Sequence, residues 1–317
     1  IASFGYWVEQ LVAESLGKIG KGIVPVEGEA LGAPSVYGPD RVFARLKLAA
    51  GADRYGRRLR PLVRAGHPVI ELTLRDKLDL AAELYRWEIA TAAAGSLMEL
   101  NPFDEPNVQE SKDNTDRLLR EFRSSGQLPA EVPTLSQGRL KVVVPAALER
   151  KLAPRAGRNR LVGLASNFLK LARAGDYLTL SAYFQRTPTH QRLLDGIRHR
   201  LRDRLRRLIA VGYGPRFLHS TGQLHKGGPN NGLYLQLVAT DAVDVPVPGE
   251  PYTFSTLKQA QALGDFAALT NKQRRVLRVH LGEKIAAGLR QLARVLSRAA
   301  AAPRRPPRAG ARRHSRR

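Results

Sequence analysis

Apolar residues alternate between two spacings along most of the chain, and this alternation constrains its fold more than any other feature. Residues 5–16 and 77–98 carry apolar side chains at helical spacing, whereas 41–48 alternates apolar with basic side chains and 68–74 forms a second short apolar run. Strands that alternate with helices build mainly parallel sheets covered by helices. The sequence therefore predicts an α/β fold.

The same alternation returns further along the chain and predicts a second α/β unit. Its expected strands are 176–184, 233–238 and 275–281, and its expected helices are 188–208, 254–269 and 283–300. Between the two units the chain is rich in proline, which predicts a linker or covering segment. The expected divisions are a domain over 1–125, the linker over 126–160, the second unit over 161–298 and a disordered basic tail over 299–317.

Local signals refine the helix ends. Gly17 follows the first helical pattern and predicts a left-handed cap, and Pro106 is expected in the first turn of a further helix. The chain opens on Ile1 with a helical pattern almost at once. We therefore expect upstream sequence to contribute part of the fold and of the site, so that the isolated chain would lack full activity.

Composition excludes several classes of chemistry. The chain has no Cys, which excludes disulfides, thiolate nucleophiles and cysteine-based zinc sites. It has no apolar run of about 18 residues and no leader pattern, so no membrane partner is expected and the expected compartment is the cytoplasm. Metal-ligand spacings, dinucleotide fingerprints and Walker loops are absent, so we expect no metal and no cofactor.

The net charge of +24 raises the alternative of a nucleic-acid-binding protein. Much of this charge lies in the tail, where arginines mix with prolines, and the run 199–207 would be displayed to water on a helix. The distribution of charge therefore argues against a nucleic-acid partner. It also predicts that residues 303–317 are dispensable for folding and account for most salt-sensitive DNA binding.

Two segments near the start carry candidate site residues. The run Glu14-Ser15-Leu16-Gly17-Lys18 would place a carboxylate, a hydroxyl and an ammonium at the end of a helix. Glu29 lies in a Gly- and Pro-rich loop before the strand at 41–48, where it could act as a general base if burial raised its pKa. Each signal alone is also typical of a solvated surface.

Two later segments add cations and hydroxyls. The stretch 101–112 sets Lys112 in the second turn of a helix, where the helix dipole disfavours a cation unless an anion compensates it. The stretch 217–232 combines glycines with Ser220, Thr221, His225 and Lys226 before a strand, as expected of a loop that approaches a phosphate or sugar oxygens. The remaining histidines are interpreted as structural or surface residues: His67, His190, His199, His280 and His314.

In their order along the chain, these segments resemble the C-terminal sugar-isomerase domain of glucose-6-phosphate isomerases. That family carries Glu-Ser-Asn-Gly-Lys, then a Gly-Glu-Pro loop, then Asn-Pro-Phe-Asp-Gln before a helix with a catalytic lysine. Leu16 and Ala30 depart from the first two motifs, and the Thr-Asn-Gly-Gln-His that follows the glutamate is not reproduced. The segment 217–232 is similar to one found where this isomerase is fused behind transaldolase.

The resemblance implies a sugar-isomerase-type fold and isomerisation of a sugar phosphate through a cis-enediol. It implies Glu29 as the base and Lys112, with His225, as ring-opening and oxygen-binding groups. Substrate binding would fall to Glu14, Ser15, Lys18, Ser220, Thr221 and Lys226. Lys112 and Glu29 should then lie near each other, and His225 or Lys226 should face a cleft. A non-catalytic sugar-phosphate-binding regulator on the same fold is the other alternative.

Overall fold

The computed structural model describes residues 3–157 and 159–301. Two sheets organise this part of the chain, one of two strands and one of six. The fold is mixed α/β, with a mostly parallel larger sheet flanked by helices, as the sequence predicts. The tail beyond residue 301 lies outside the described residues, whereas 299–301, predicted as part of that tail, belong to the last helix.

The smaller sheet pairs β1 (Phe43–Leu48) with β2 (Val69–Leu74) in parallel, in register from Phe43 opposite Val69. Parallel strands need a crossover, which here contains α2 (Gly56–Arg64). Both strands fall within the predicted ranges. The short α2 was missed because four arginines dominate its composition and only Leu59 and Leu62 are buried.

Three longer helices accompany this sheet: α1 (Phe4–Leu16), α3 (Asp79–Leu97) and α4 (Gln109–Ser125). The prediction that Pro106 lies in the first turn of α4 is wrong. Asn101 accepts the amide of Phe103 at 3.0 Å, and the amide of Val108 bonds back to Glu105 at 3.2 Å. These turns occupy the chain up to Val108 and delay the helix start.

The larger sheet has the strand order β3-β4-β8-β7-β5-β6. Its strands are β3 (Leu135–Gln137), β4 (Leu140–Val143), β5 (Tyr177–Tyr183), β6 (Ile209–Tyr213), β7 (Gly232–Val238) and β8 (Arg275–His280). The last four are parallel, while the hairpin β3–β4 adds antiparallel to β8. Every residue of β5 and β7 is buried, as expected of parallel strands covered on both faces.

The segment predicted as a linker contributes to this sheet. It contains β3, β4 and α5 (Ala146–Leu152), and its prolines flank these elements rather than interrupting them. Gly138 turns the hairpin at φ +63°, a conformation that glycine adopts without strain. The division of the chain into separate domains stays a prediction.

Alternate side chains of β7 point to opposite faces of the sheet, and a separate layer of helices packs on each face. Leu233, Leu235 and Leu237 enter the main core with α6 (Arg160–Lys170), α7 (Pro188–Leu205) and α10 (Ile285–Ala301). Tyr234 and Gln236 face α9 (Phe254–Asn271), where Gln236 donates to the carbonyl of Ala262 at 2.9 Å. Helices α7 and α9 therefore cover opposite faces of the sheet.

Between β6 and β7, a 3-10 turn (Arg216–His219) leads into α8 (Thr221–Gly227). The prediction of a loop over 217–232 is therefore wrong for this part. Leu224 is buried, and the carbonyl of Gly227 accepts the amide of Gly20 at 2.9 Å. Packing of α8 against the end of α1 stabilises a short helix that its glycines disfavour.

Candidate active site

The end of α1 meets the segment before α4 through a buried lysine. Lys18 forms an ion pair with Asp104 at 2.8 Å and also donates to the main-chain oxygen of Asp104. The hydrogen bond from Lys18 lowers the pKa of the Asp104 carboxyl below its usual value. The partly buried Glu14 accepts a hydrogen bond from Gln10 at 3.3 Å instead of joining Lys18, and Ser15 is half-buried beside it.

Gly17 is not the left-handed cap that the sequence predicted, since its φ is −84°. A Cβ at this position would overlap the backbone of Leu224 in α8. Glycine is needed here because two segments approach closely, and not because of a positive φ.

Gln223, in α8, connects three of the motif segments. Its Nε2 donates to the Gly17 carbonyl and to Asn107 Oδ1, both at 3.0 Å, and its Oε1 accepts the Asn107 amide at 2.9 Å. The side chain is fully buried. Gln223 was not predicted as a site residue, although the three segments that it joins were singled out from the sequence.

His225 and Lys226 of α8 are both buried, contrary to the expectation that one of them faces a cleft. Lys226 forms an ion pair with Asp265 at 3.0 Å, and both side chains are almost inaccessible. Burial, with the nearby charges of Lys226 and Arg274, lowers the pKa of His225 to about 3. The imidazole is therefore neutral near pH 7. The glycine-rich segment 217–232 predicted an exposed loop, but residues 220–226 are buried in the packing of α8.

The two hydroxyls of this segment are buried as well. Ser220 Oγ donates to the Phe217 carbonyl at 3.3 Å, and Thr221 begins α8. The structure therefore places Ser220 and Thr221 in the packing between α8 and its neighbours.

Glu29 lies in the loop before β1 and contacts α7. Its Oε1 accepts from Arg202 Nη1 at 2.6 Å, and its Oε2 lies 3.9 Å from Arg198 Nε. Only 12% of the Glu29 side chain is exposed. Gly28, with φ +65°, allows the sharp turn that brings the carboxylate to α7.

Arg198 and Arg202 fasten the same loop through its backbone. Arg198 Nη2 donates to the Glu27 carbonyl at 2.9 Å, and Arg202 Nη1 donates to the Ala30 carbonyl at 2.6 Å. The interpretation of the run 199–207 as fully solvated is wrong for Arg202, which is buried like Arg198. Their i,i+4 spacing on the partly apolar α7 was the available signal for a shared inward face.

Two further carboxyls lie at this loop, Glu27 within it and Glu9 on α1. Burial raises the pKa of Glu9 and the pKa of Glu27 above their usual values, and the charge of Glu27 adds to the rise at Glu9. The guanidinium of Arg216 lies 3.4 Å from Glu9 and opposes the rise. A carboxyl whose pKa is raised can exchange protons closer to neutral pH.

Lys112 is exposed on α4 and is not brought to Glu29. No hydrogen bond or ion pair between described residues joins the two. Helix α4 packs on α9, whereas Glu29 rests on α7, and these helices cover opposite faces of the larger sheet. The predicted proximity of Lys112 and Glu29 is not seen in this arrangement.

Over residues 3–157 and 159–301, no three His, Asp or Glu side chains are grouped in a way that could hold a metal ion. Within the same ranges, no helix has both the length and the apolar character needed to cross a bilayer.

Part of the chain is similar to a curated archaeal protein. The "Probable glucose-6-phosphate isomerase" of Haloarcula marismortui is 29% identical over 157 residues, which cover 38% of this chain and 35% of that protein. The chain thus matches about a third of its relative's length. No protein-family model matches the chain.

Among solved structures, a hypothetical protein of Thermus thermophilus superposes with a TM-score of 0.39 and 13% identity. The overlap covers 93% of this chain and 75% of that one. Similarity at this level carries no conclusion about activity.

Proposed function

We propose that this chain forms the C-terminal part of an aldose–ketose isomerase acting on a sugar phosphate, with glucose 6-phosphate and fructose 6-phosphate as the expected pair. The observation that carries the proposal is the Glu29 carboxylate, held in a turn beside two buried arginines. The partial similarity to the archaeal protein, whose name describes this activity, supports the same choice.

In this reaction Glu29 removes the proton at C2 of the open-chain aldose and returns it at C1, through a cis-enediol. Arg202 fixes Oε1, so that the orientation of the carboxylate is set before substrate arrives. We expect the positive charges of Arg198 and Arg202, beside this carboxylate, to stabilise the negative charge of the enediolate.

Ring opening needs an acid, and the candidates differ in their placement. His225 is buried and neutral, and Lys112 is exposed on another face of the fold. Glu27 lies two residues before Glu29, and burial raises its pKa. We therefore add Glu27 to Lys112 and His225 as a candidate acid. The predicted substrate-binding residues stay as they were: Glu14, Ser15, Lys18, Ser220, Thr221 and Lys226. The fusion behind transaldolase and the cytoplasmic location also stay predictions.

The test is exchange of the C2 proton of glucose 6-phosphate in D2O, followed by proton NMR. We expect slow exchange with the chain and a loss of about 100-fold or more in Glu29→Gln, the range typical of a removed general base. Glu88→Gln, an exposed glutamate on α3, is the matched control and should exchange like the unmodified chain. Equal rates in the two variants would contradict the role of Glu29.

Lys112→Met is compared in the same assay with Lys151→Met, an exposed lysine on α5. If Lys112 opens the ring, its loss should slow exchange from the closed sugar only. A substrate analogue fixed in the open-chain form should still exchange at the original rate. Slowing with both substrates would point to a binding role instead.

A non-catalytic sugar-phosphate-binding regulator is the second candidate. The separation of Lys112 from Glu29 and the burial of His225 favour it, since both remove groups that the reaction needs. Calorimetric titration with glucose 6-phosphate distinguishes the two: binding without C2 exchange in the unmodified chain supports the regulator and contradicts the isomerase.

A further inference from the structure

The outer face of α10 carries a row of arginines without acidic neighbours on the same helix. Residues 285–317 contain ten Arg and no Asp or Glu. Within α10, Leu289, Leu292 and Leu296 are buried. The exposed arginines, Arg290, Arg294 and Arg298, recur every fourth residue and so follow one another about 6 Å apart along the helix. We call these three residues the α10 arginine row.

These charges are not compensated within the described part of the chain. None of the three arginines forms a hydrogen bond or ion pair with a described residue. A fourth guanidinium joins them, because Arg204 of α7 donates to the Ser297 carbonyl at 2.9 Å. Like charges at i,i+4 destabilise a helix, so an anionic partner would relieve this repulsion.

The acidic side chains of α7 are already engaged elsewhere. Asp195 accepts from Gln191 at 3.0 Å, and Asp203 pairs with Arg202 at 2.9 Å. Gln291, between the arginines of α10, donates to the Gln137 carbonyl at 2.7 Å and so holds the helix against the β3–β4 hairpin. The row is therefore held on a fixed helix and presents positive charge alone.

The chemistry of the face favours phosphodiesters over a bilayer. Guanidinium groups pair with phosphate oxygens through two hydrogen bonds, and a regular row suits a regular chain of phosphates. A helix that lies on a membrane instead inserts apolar side chains from its exposed side. The large apolar residues of α10 pack inward, and none of them is exposed.

We infer that the α10 arginine row, with Arg204, binds the sugar-phosphate backbone of a nucleic acid without reading its bases. This binding goes beyond the proposed isomerase and does not depend on it. It also revises the expectation that the tail accounts for most DNA binding, because the row belongs to the folded part of the chain.

The test is fluorescence anisotropy of a labelled 20-base-pair DNA with the full-length chain between 50 and 300 mM salt. The slope of log K against log salt is negative. In R290Q/R294Q/R298Q we expect its magnitude to decrease by about 2.7, at about 0.9 per lost phosphate contact. The matched control is R57Q/R58Q/R60Q, which removes the same charge from exposed positions of α2. Circular dichroism checks that both variants stay folded.

The control variant should keep the slope of the unmodified chain to within about one contact. An equal fall in both variants would mean that net charge, and not this face, governs binding, and would overturn the inference. An unchanged slope in R290Q/R294Q/R298Q would overturn it as well. So would loss of binding to phosphatidylglycerol vesicles in that variant while DNA binding persists, since the face would then serve a membrane.

Discussion

The two sheets differ in how completely they are covered. All seven residues of β7 are buried, whereas in β1 the one buried residue is Arg45, paired with Glu71 at 2.8 Å. Of the sixteen large apolar side chains that are exposed among the described residues, twelve lie before residue 126. A two-stranded sheet is marginal alone, and parallel sheets are usually covered on both faces.

The difference shows how the first region is held. Its own core is small. Apolar packing of α4 on α9, around Leu118 and Leu119, attaches the residues before 126 to the rest of the fold. Polar contacts add to this attachment, from Arg202 to Glu29 and from Gln223 to Gly17 and Asn107. Glu29 and the segments around Gly17 and Asn107 therefore lie where the chain before residue 126 meets the rest of the fold. Their substitution should affect both attachment and chemistry, so stability and activity have to be measured separately.

The largest expected effect concerns the buried ion pair between Lys226 of α8 and Asp265 of α9, beside the larger sheet. Lys226→Met leaves Asp265 buried without its cation, which typically costs about 3–5 kcal/mol. Lys226→Met/Asp265→Leu removes both charges and should regain most of that loss. Urea unfolding measures both free energies. A double variant no more stable than the single one would show that the loss comes from packing, and not from an uncompensated charge.

The next effect compares matched apolar truncations in the two sheets. Leu235→Ala in β7 should lower the free energy of unfolding by about 2–5 kcal/mol, because it leaves a cavity in the main core. Ile70→Ala in β2 should cost less than about 1 kcal/mol, since the side chain is half-exposed. Similar losses by urea unfolding would contradict the contrast between the sheets.

The smallest expected effect is a pH dependence of the free energy of unfolding that comes from Glu9 and Glu27. The raised pKa values of Glu9 and Glu27 mean that the folded state binds more protons than the unfolded state just above pH 4.5. Stability should therefore fall as pH rises from about 4.5 through the raised pKa values. Glu9→Gln/Glu27→Gln should flatten the profile of urea midpoints over that range. A profile that keeps its slope in this variant would assign the dependence to other groups.

The sequence predicted the fold better than the site. Long periodic segments such as 188–208 and 254–269 were recognised because their patterns reflect burial on one side. The hairpin β3–β4 and α8 were missed, since short elements derive their stability from packing on distant residues such as Gly17 and β8. Tertiary packing overrode local composition at both places.

Site residues were predicted only in segments that combined reactive side chains with the motif order of the isomerase family. Glu29 and Lys18 stay predicted site residues, and the structure shows them paired with Arg202 and Asp104. Arg198 and Arg202 were missed because burial of an arginine cannot be read from charge alone. His225 and Lys226 were expected at a cleft because glycine-rich segments are typical of loops, whereas here the glycines allow close packing.

The contact of α8 with residue 17 and Asn107 has a consequence for recombination. Gly17, Asn107 and Gln223 come from three separated stretches and fit one another atom by atom. A chimera that takes residues before 126 from one relative and the rest from another inherits the two halves of this contact from different parents. Crossovers should therefore succeed only between parents that agree at all three positions, so these residues are inherited as one unit despite the distance between them in the chain.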